Sequence, residues 1–401
     1  CTSEGILRNG RNRAPGTVSA MHLLAHGVGG RSDLPLPLSF FAWAAVAMLV
    51  VSFAALSALW TAPKLAAAGQ GRDLGNAAAL IGRVLVGVGA IIGSVLAVVT
   101  ITAALIGSGL VGTNPAGFVV FVWLWVGMQF ASAMFGDVYA AINPLAHLGR
   151  LVGRFARPEA EPPTALRGWP AVALLLGFHW LELAYHSPAK PSTLVTAITA
   201  YALVVVGPCA WWGPRWQQRS DGLAVWFSTV AALAPFVRRD GRLVRRPPGS
   251  GLGLLNLDRS GLAIIAIVVS GTAFDGLSRT DFWRDVVAGR GSWGLTGLST
   301  IGLAWSLALV VAIYAGATRW SRRQLGAATS EHRDLMLVFA PSLVPIGFAY
   351  SVAHYFSLFV FEGQSTYITL ADPFSRGWNL LGLADANTNY LLVSATAIAT
   401  V

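Results

Sequence analysis

VLVGVGAIIGSVLAVVTITAALIGSGL, residues 84–110, runs for 27 residues without one charged side chain. At 1.5 Å per residue a helix of that length reaches about 40 Å, more than the roughly 30 Å of a bilayer's hydrocarbon core. Lipid offers no hydrogen bonds, so a crossing segment must satisfy its own backbone, as a helix does. Comparable runs lie at 39–60, 115–142, 169–186, 192–213, 258–275, 293–317 and 334–362, and another begins near 389. This pattern predicts an all-α, polytopic transmembrane helix bundle of roughly 8–9 spans. Residues 222–236 are too short to cross and precede the basic run 238–246 (RRDGRLVRR), so they are read as one interfacial amphipathic helix. Residues 1–38 form an N-terminal extracytoplasmic segment, and 39–401 form a single transmembrane domain. The chain starts at Cys1 and stops at Val401 inside an apolar stretch, which reads as a fragment with a truncated C-terminal end.

Composition supports the membrane reading. Of 401 residues 55% are hydrophobic and 11% charged, against about 25% charged in soluble domains. The net charge of +10 raises the question of a nucleic-acid partner. The basic residues instead sit in short loops between apolar runs, where membrane orientation places them. Loops 62–75, 143–168, 214–221, 237–259 and 318–333 hold 18 Lys and Arg, and the opposite loops 187–191, 276–292 and 363–388 hold 5. The positive-inside rule then predicts a multi-pass plasma-membrane protein with its N-terminal segment outside. Cys1 and Cys209 make neither a disulfide framework nor a metal motif.

Ionisable groups inside a bilayer are costly, so each is a functional candidate. His179, Glu182 and His186 fall at i, i+3 and i+7 of one apolar run, within an arc of about 60° on a helix. Two imidazoles and a carboxylate on one stripe suit a divalent transition metal, zinc or copper. The same stripe equally serves a proton or ion pathway, or hydrogen bonding that only holds helices together. Tyr350, His354 and Ser357 form a second stripe, with Glu362 and Gln364 beyond it and Asp275 at the end of another span. By depth, Glu182, His186, His354, Asp275 and Glu362 are expected to converge near the outer leaflet. Asp137 reads as a cap or loop ion pair, and with Asn143 as an inner gate on a transport reading. Pro341, Pro345 and Gly347 would then break the last long span. His26 is a solvated loop residue unless it becomes a mature N-terminus, where amine and imidazole together would bind copper or zinc.

No Walker A, GxSxG or HExxH motif occurs. Six blocks together carry a resemblance: AHGVGGRSDLPLPLSFFAW (25–43), GDVYAAINP (136–144), FHWLELAYHSPAKPSTL (178–194), GTAFDGLSRTDFW (271–283), FAYSVAHYFSLFVFEGQ (348–364) and DPFSRGWNLLG (372–382). From about residue 25 onward the chain resembles multi-spanning actinobacterial membrane proteins labelled fenitrothion hydrolase. The resemblance implies a signal peptide ahead of the first block, a further helix after the last, and a membrane-bound hydrolase of organophosphorus or related apolar esters. On that reading His179, Glu182, His186, His354 and His26 are metal ligands, and Asp275 or Glu362 accepts a proton from the attacking water. A small apolar substrate would enter from the lipid bilayer. Two alternatives stay open: a transporter or metal-handling permease using the same residues, and a structural membrane subunit.

Overall fold

In a computed structural model the described residues are 43, 47, 50, 51, 65–155, 161–325, 334–383, 386–390 and 392. The expected segment 1–38 and His26 lie outside the described residues, as does most of the span at 39–60 and of the apolar stretch after 389. A short helix α1 (Leu65–Gly69) and strand β1 (Arg72–Asp73) lead into α2 (Gly75–Ile106). There follow α3 (Pro115–Phe135), α4 (Val138–Ile142), α5 (Pro144–Val152), α6 (Trp169–Leu183), α7 (Pro191–Trp212) and α8 (Pro214–Ser220). Helix α9 (Gly222–Val230) precedes β2 (Phe236–Arg239) and β3 (Arg242–Arg245). The chain continues through α10 (Arg259–Ser278), α11 (Asp281–Val287), α12 (Ser292–Leu325) and α13 (Leu335–Ala371). The protein is thus mainly helical, and among the described residues six helices are long and apolar enough to cross a membrane: α2, α3, α7, α10, α12 and α13. Helix α6, read from sequence as a span, has 15 residues.

Side-chain caps start several of these helices, supplying acceptors to N–H groups that the first turn leaves open. Asn114 accepts from Ala116 N at 3.0 Å ahead of α3. Asp258 accepts from Gly261 N at 2.9 Å ahead of α10, and Asp334 from Met336 N at 3.1 Å ahead of α13. Through Phe118–Gly127 helix α3 widens into π turns, a rare geometry that shifts every later side chain on the helix. Helix α13 runs unbroken through Pro341 and Pro345. The expected broken helix is therefore corrected, because the two missing N–H donors do not end the helical path.

Helix α10 lies at the centre, buried along most of its length. The pairings around it follow from close approaches. Gly168 sits against Ser260, and His179 against Gly271, so α6 runs parallel to α10. Gly347 meets Val269 while Gly276 meets Tyr350 and His354, so α13 is also parallel to α10. Ser306 Oγ donates to Ser270 O at 2.9 Å and Gly302 faces Phe274, which makes α12 antiparallel. These directions bring the late parts of α6 and α10 level with the middle of α13.

Two local expectations are corrected. Residues 222–236 were read as an amphipathic helix with one open face, but its large side chains are enclosed: Trp226, Phe227 and Val230 are fully buried against the core made with Trp125, Leu175, Ile264 and Val344. Helix α9 is too short to span but is enclosed by longer helices, which is why its apolar character misled. The basic run after it forms a hairpin rather than a plain loop. Asp240 and Gly241 both take positive φ, at 49° and 77°, the turn whose twist matches two antiparallel strands. Strand β1 adds to β3, giving the order β1-β3-β2.

Candidate functional site

The level shared by α6, α10 and α13 holds a cluster of ionisable side chains inside the bundle. Asp275 of α10 is fully buried. Its Oδ2 lies 2.7 Å from His354 Nε2 of α13, and its Oδ1 lies 3.5 Å from Arg279 Nε one turn further along α10. The buried Tyr355 hydroxyl interacts with the same carboxylate. One carboxylate thus joins two spans through an imidazole, a phenol and a guanidinium. The arrangement follows from local spacing, since Asp275 and Arg279 at i, i+4 share a face of α10.

Helix α6 contributes from the other side. His179 and Glu182 are each 1% exposed. The His179 ring packs against Gly271, where only glycine leaves room: a Cβ there would stand 2.2 Å from Cδ2. Its Nδ1 is 3.0 Å from Leu175 O, and the ring meets Trp125 edge-on at 4.9 Å between centroids. The buried His179 Nε2 has no hydrogen-bond partner among the described residues. Glu182 lies within electrostatic reach of both Asp275 and Arg279. His179, Glu182, Asp275 and His354, chosen from sequence, therefore lie in one buried region.

His186 and Glu362 do not join them. Helix α6 ends at Leu183, so His186 is off the helical stripe that its i+7 spacing implied. A helix tends to stop before a proline, and Pro188 follows closely. The His186 ring turns to α12, with Nδ1 3.0 Å from Thr296 Oγ1 and the Trp293 ring at 5.0 Å. Glu362 lies two turns past His354 on α13, where its carboxylate accepts from Ser365 at 3.1 Å and Tyr390 at 3.2 Å. It anchors the segment after α13 rather than facing Asp275. Among the described residues no three His, Cys, Asp or Glu side chains gather in a set fit to hold a metal ion. Of the ligands expected for zinc or copper, His186 turns to Thr296 of α12 and His354 to Asp275 of α10, while His26 lies outside the described residues.

A second buried polar centre had no sequence assignment. Asp221, fully buried, caps α9 through Ala224 N at 3.0 Å and accepts from Asn143 Nδ2 and Tyr201 OH, each at 2.7 Å. Gln217 Nε2 reaches it at 3.4 Å. Burial pushes the Asp221 carboxyl up from its ordinary range, opposed by these donors. This knot joins α7, α8, α9 and the start of α5, and it occupies Asn143, which the transport reading had placed in a gate. Asp137 caps α4 through Ala140 N at 3.0 Å, as expected of a capping residue. The Asp-Gly start of α9 was the available signal for Asp221, hidden by the basic loop around it.

Comparison with protein-family models, with curated proteins and with solved structures finds no match to this chain.

Proposed function

We propose that this chain is a polytopic transporter of the plasma membrane that binds a proton, or a proton-coupled ion, at Asp275 and His354. On this reading the spans number eight or nine, counting 39–60 and α6, and the N-terminal segment faces outward. The observation that carries the proposal is the 2.7 Å Asp275–His354 contact between two helices, buried beside Arg279. Buried ionisable groups in a membrane are costly and pair with one another along ion and proton pathways. When His354 takes up a proton its bond to Asp275 becomes an ion pair, and when it loses one the pair reverts to a neutral imidazole beside a carboxylate. The helix-to-helix attraction thereby depends on protonation, which supplies the differential contact that a two-state transporter needs. Arg279, held at the same carboxylate, would compete for it as the proton leaves.

The family resemblance supports a second reading, hydrolysis of an apolar ester, because an imidazole bonded to a carboxylate is also the arrangement of a general base.

Proton flux into proteoliposomes, driven by a potassium–valinomycin potential and read with an entrapped pH dye, separates the readings. Transport predicts flux above that of protein-free vesicles and a loss of at least tenfold in Asp275→Asn. Flux at the protein-free level, with release of a nitrophenol from a fenitrothion-type ester in detergent, would replace the proposal with the hydrolase.

A further inference from the structure

The three-stranded sheet lies where spans end. Strand β1 stops two residues before α2 begins, and Phe236 O of β2 packs against Gly136, the residue after α3. In an antiparallel sheet, residues paired by register point to the same face. Arg72 pairs with Arg245, and Arg245 pairs with Phe236, so one row across the sheet reads Arg, Arg, Phe on a single face.

Like charges directly opposite each other on neighbouring strands are unfavourable. Three of the other hairpin arginines have partners: Arg242 pairs with Asp73, Arg239 donates to Gln70 at 2.8 Å, and the buried Arg246 donates to Ala231 O and Ala234 O at the end of α9; the exposed Arg238 stands opposite Leu243 rather than another arginine. Among the described residues Arg72 and Arg245 have no carboxylate partner. Both are exposed, and both line an open pocket of about 720 Å³ whose other walls include Leu74, Phe236 and Pro247. Arg246, which also lines the pocket, is held by its bonds to the end of α9.

We infer that this pocket binds the phosphate headgroup of an anionic membrane lipid. Two adjacent guanidiniums without counter-charges suit a phosphate, which accepts paired N–H donors. The apolar walls and the position at the ends of α2 and α3 favour a headgroup at the bilayer surface over a free anion. Arg72 and Arg245 bind the phosphate, and Leu74 and Phe236 contact the glycerol and upper acyl region.

The test uses the full chain, stripped of lipid in a neutral detergent, with phosphatidylglycerol or phosphatidylcholine added and bound lipid counted by native mass spectrometry. Arg72→Gln/Arg245→Gln should weaken phosphatidylglycerol binding about thirtyfold, the factor for two charges near an anionic surface at about 1 kcal/mol each. Arg72→Lys/Arg245→Lys keeps the charge but not the paired donors, so it should weaken binding less than the glutamine pair does, which separates charge loss from misfolding. Arg322→Gln/Arg323→Gln removes the same charge from exposed positions near the end of α12 and should leave binding unchanged. Equal loss in that control, equal binding of phosphatidylcholine, or no loss in the first variant overturns the assignment. So does inorganic phosphate raising Tm as much as the anionic lipid does, because the ligand would then be the free anion.

Discussion

Gly271→Ala tests the packing that brings α6 to the candidate site. An added Cβ would meet His179 Cδ2 at 2.2 Å, Nε2 at 2.9 Å and Cγ at 3.3 Å, so the ring has to leave its place. Its retreat is blocked by Trp125 on one side and costs the Nδ1 contact to Leu175 O. Forcing one methyl into a packed interior costs about 1–3 kcal/mol, and the lost hydrogen bond adds about 1 kcal/mol. Replacing a mid-helix glycine with alanine returns about 1 kcal/mol. The net is a destabilisation of about 2 kcal/mol, measured by denaturant unfolding in detergent. The decisive form is a double-mutant cycle with His179→Ala, which removes the obstacle. In that background Gly271→Ala should be neutral or stabilising, giving a coupling of about 2–3 kcal/mol. Equal effects of Gly271→Ala in both backgrounds would refute the contact, and with it the register that sets Glu182 near Asp275.

Asp275→Leu leaves His354 and Arg279 at a buried site without their carboxylate and should destabilise by about 3–5 kcal/mol, whereas His354→Gln retains a donor and should cost about 1 kcal/mol, both read by the same unfolding assay. Asn143→Ala strips one donor from buried Asp221 and should cost about 1–3 kcal/mol, with the α7–α9 region losing amide-exchange protection first. Asp73, outside the spans, is held below its ordinary 3.8 by Arg242 and by the Gly75 N–H. A lowered carboxyl stabilises above the unfolded value and loses that contribution as pH falls through the folded one. The Tm difference between wild type and Asp73→Asn should therefore be present above pH 3.8 and close below it; a difference that persists or grows in acid contradicts the pairing.

The long spans were legible because a run such as 84–110 has few other ways to satisfy its backbone, and α2, α3, α7, α10, α12 and α13 appear close to their expected positions. Residues chosen by polarity within those runs were legible as candidates, and Asp275 with His354 proved to be neighbours. Neighbourhood itself was not legible. Periodicity shows which side chains share a helix face but not which helix that face meets, so Glu362 was placed with Asp275 although it serves the segment carrying Tyr390. His186 was placed by extending a helix that stops at Leu183, despite Pro188 as a warning. Helix α9 failed for a different reason. A short apolar stretch with basic flanks looks interfacial by composition, and only the surrounding helices make Trp226 and Phe227 core residues. The hairpin carried an Asp240-Gly241 turn signal, but its arginine-rich flanks lack the alternating apolar residues that mark a strand.

The central claim is that Asp275 and His354 form a proton-binding pair inside the bundle, and infrared difference spectroscopy between acid and neutral pH tests it most directly. Wild-type protein should show a carboxyl band and histidine ring bands that change together. Asp275→Asn should remove one component of the carboxyl band, and His354→Gln should remove one component of the ring bands while shifting that carboxyl component. A pH difference spectrum unchanged by either substitution would mean that the pair does not titrate, and would contradict the account.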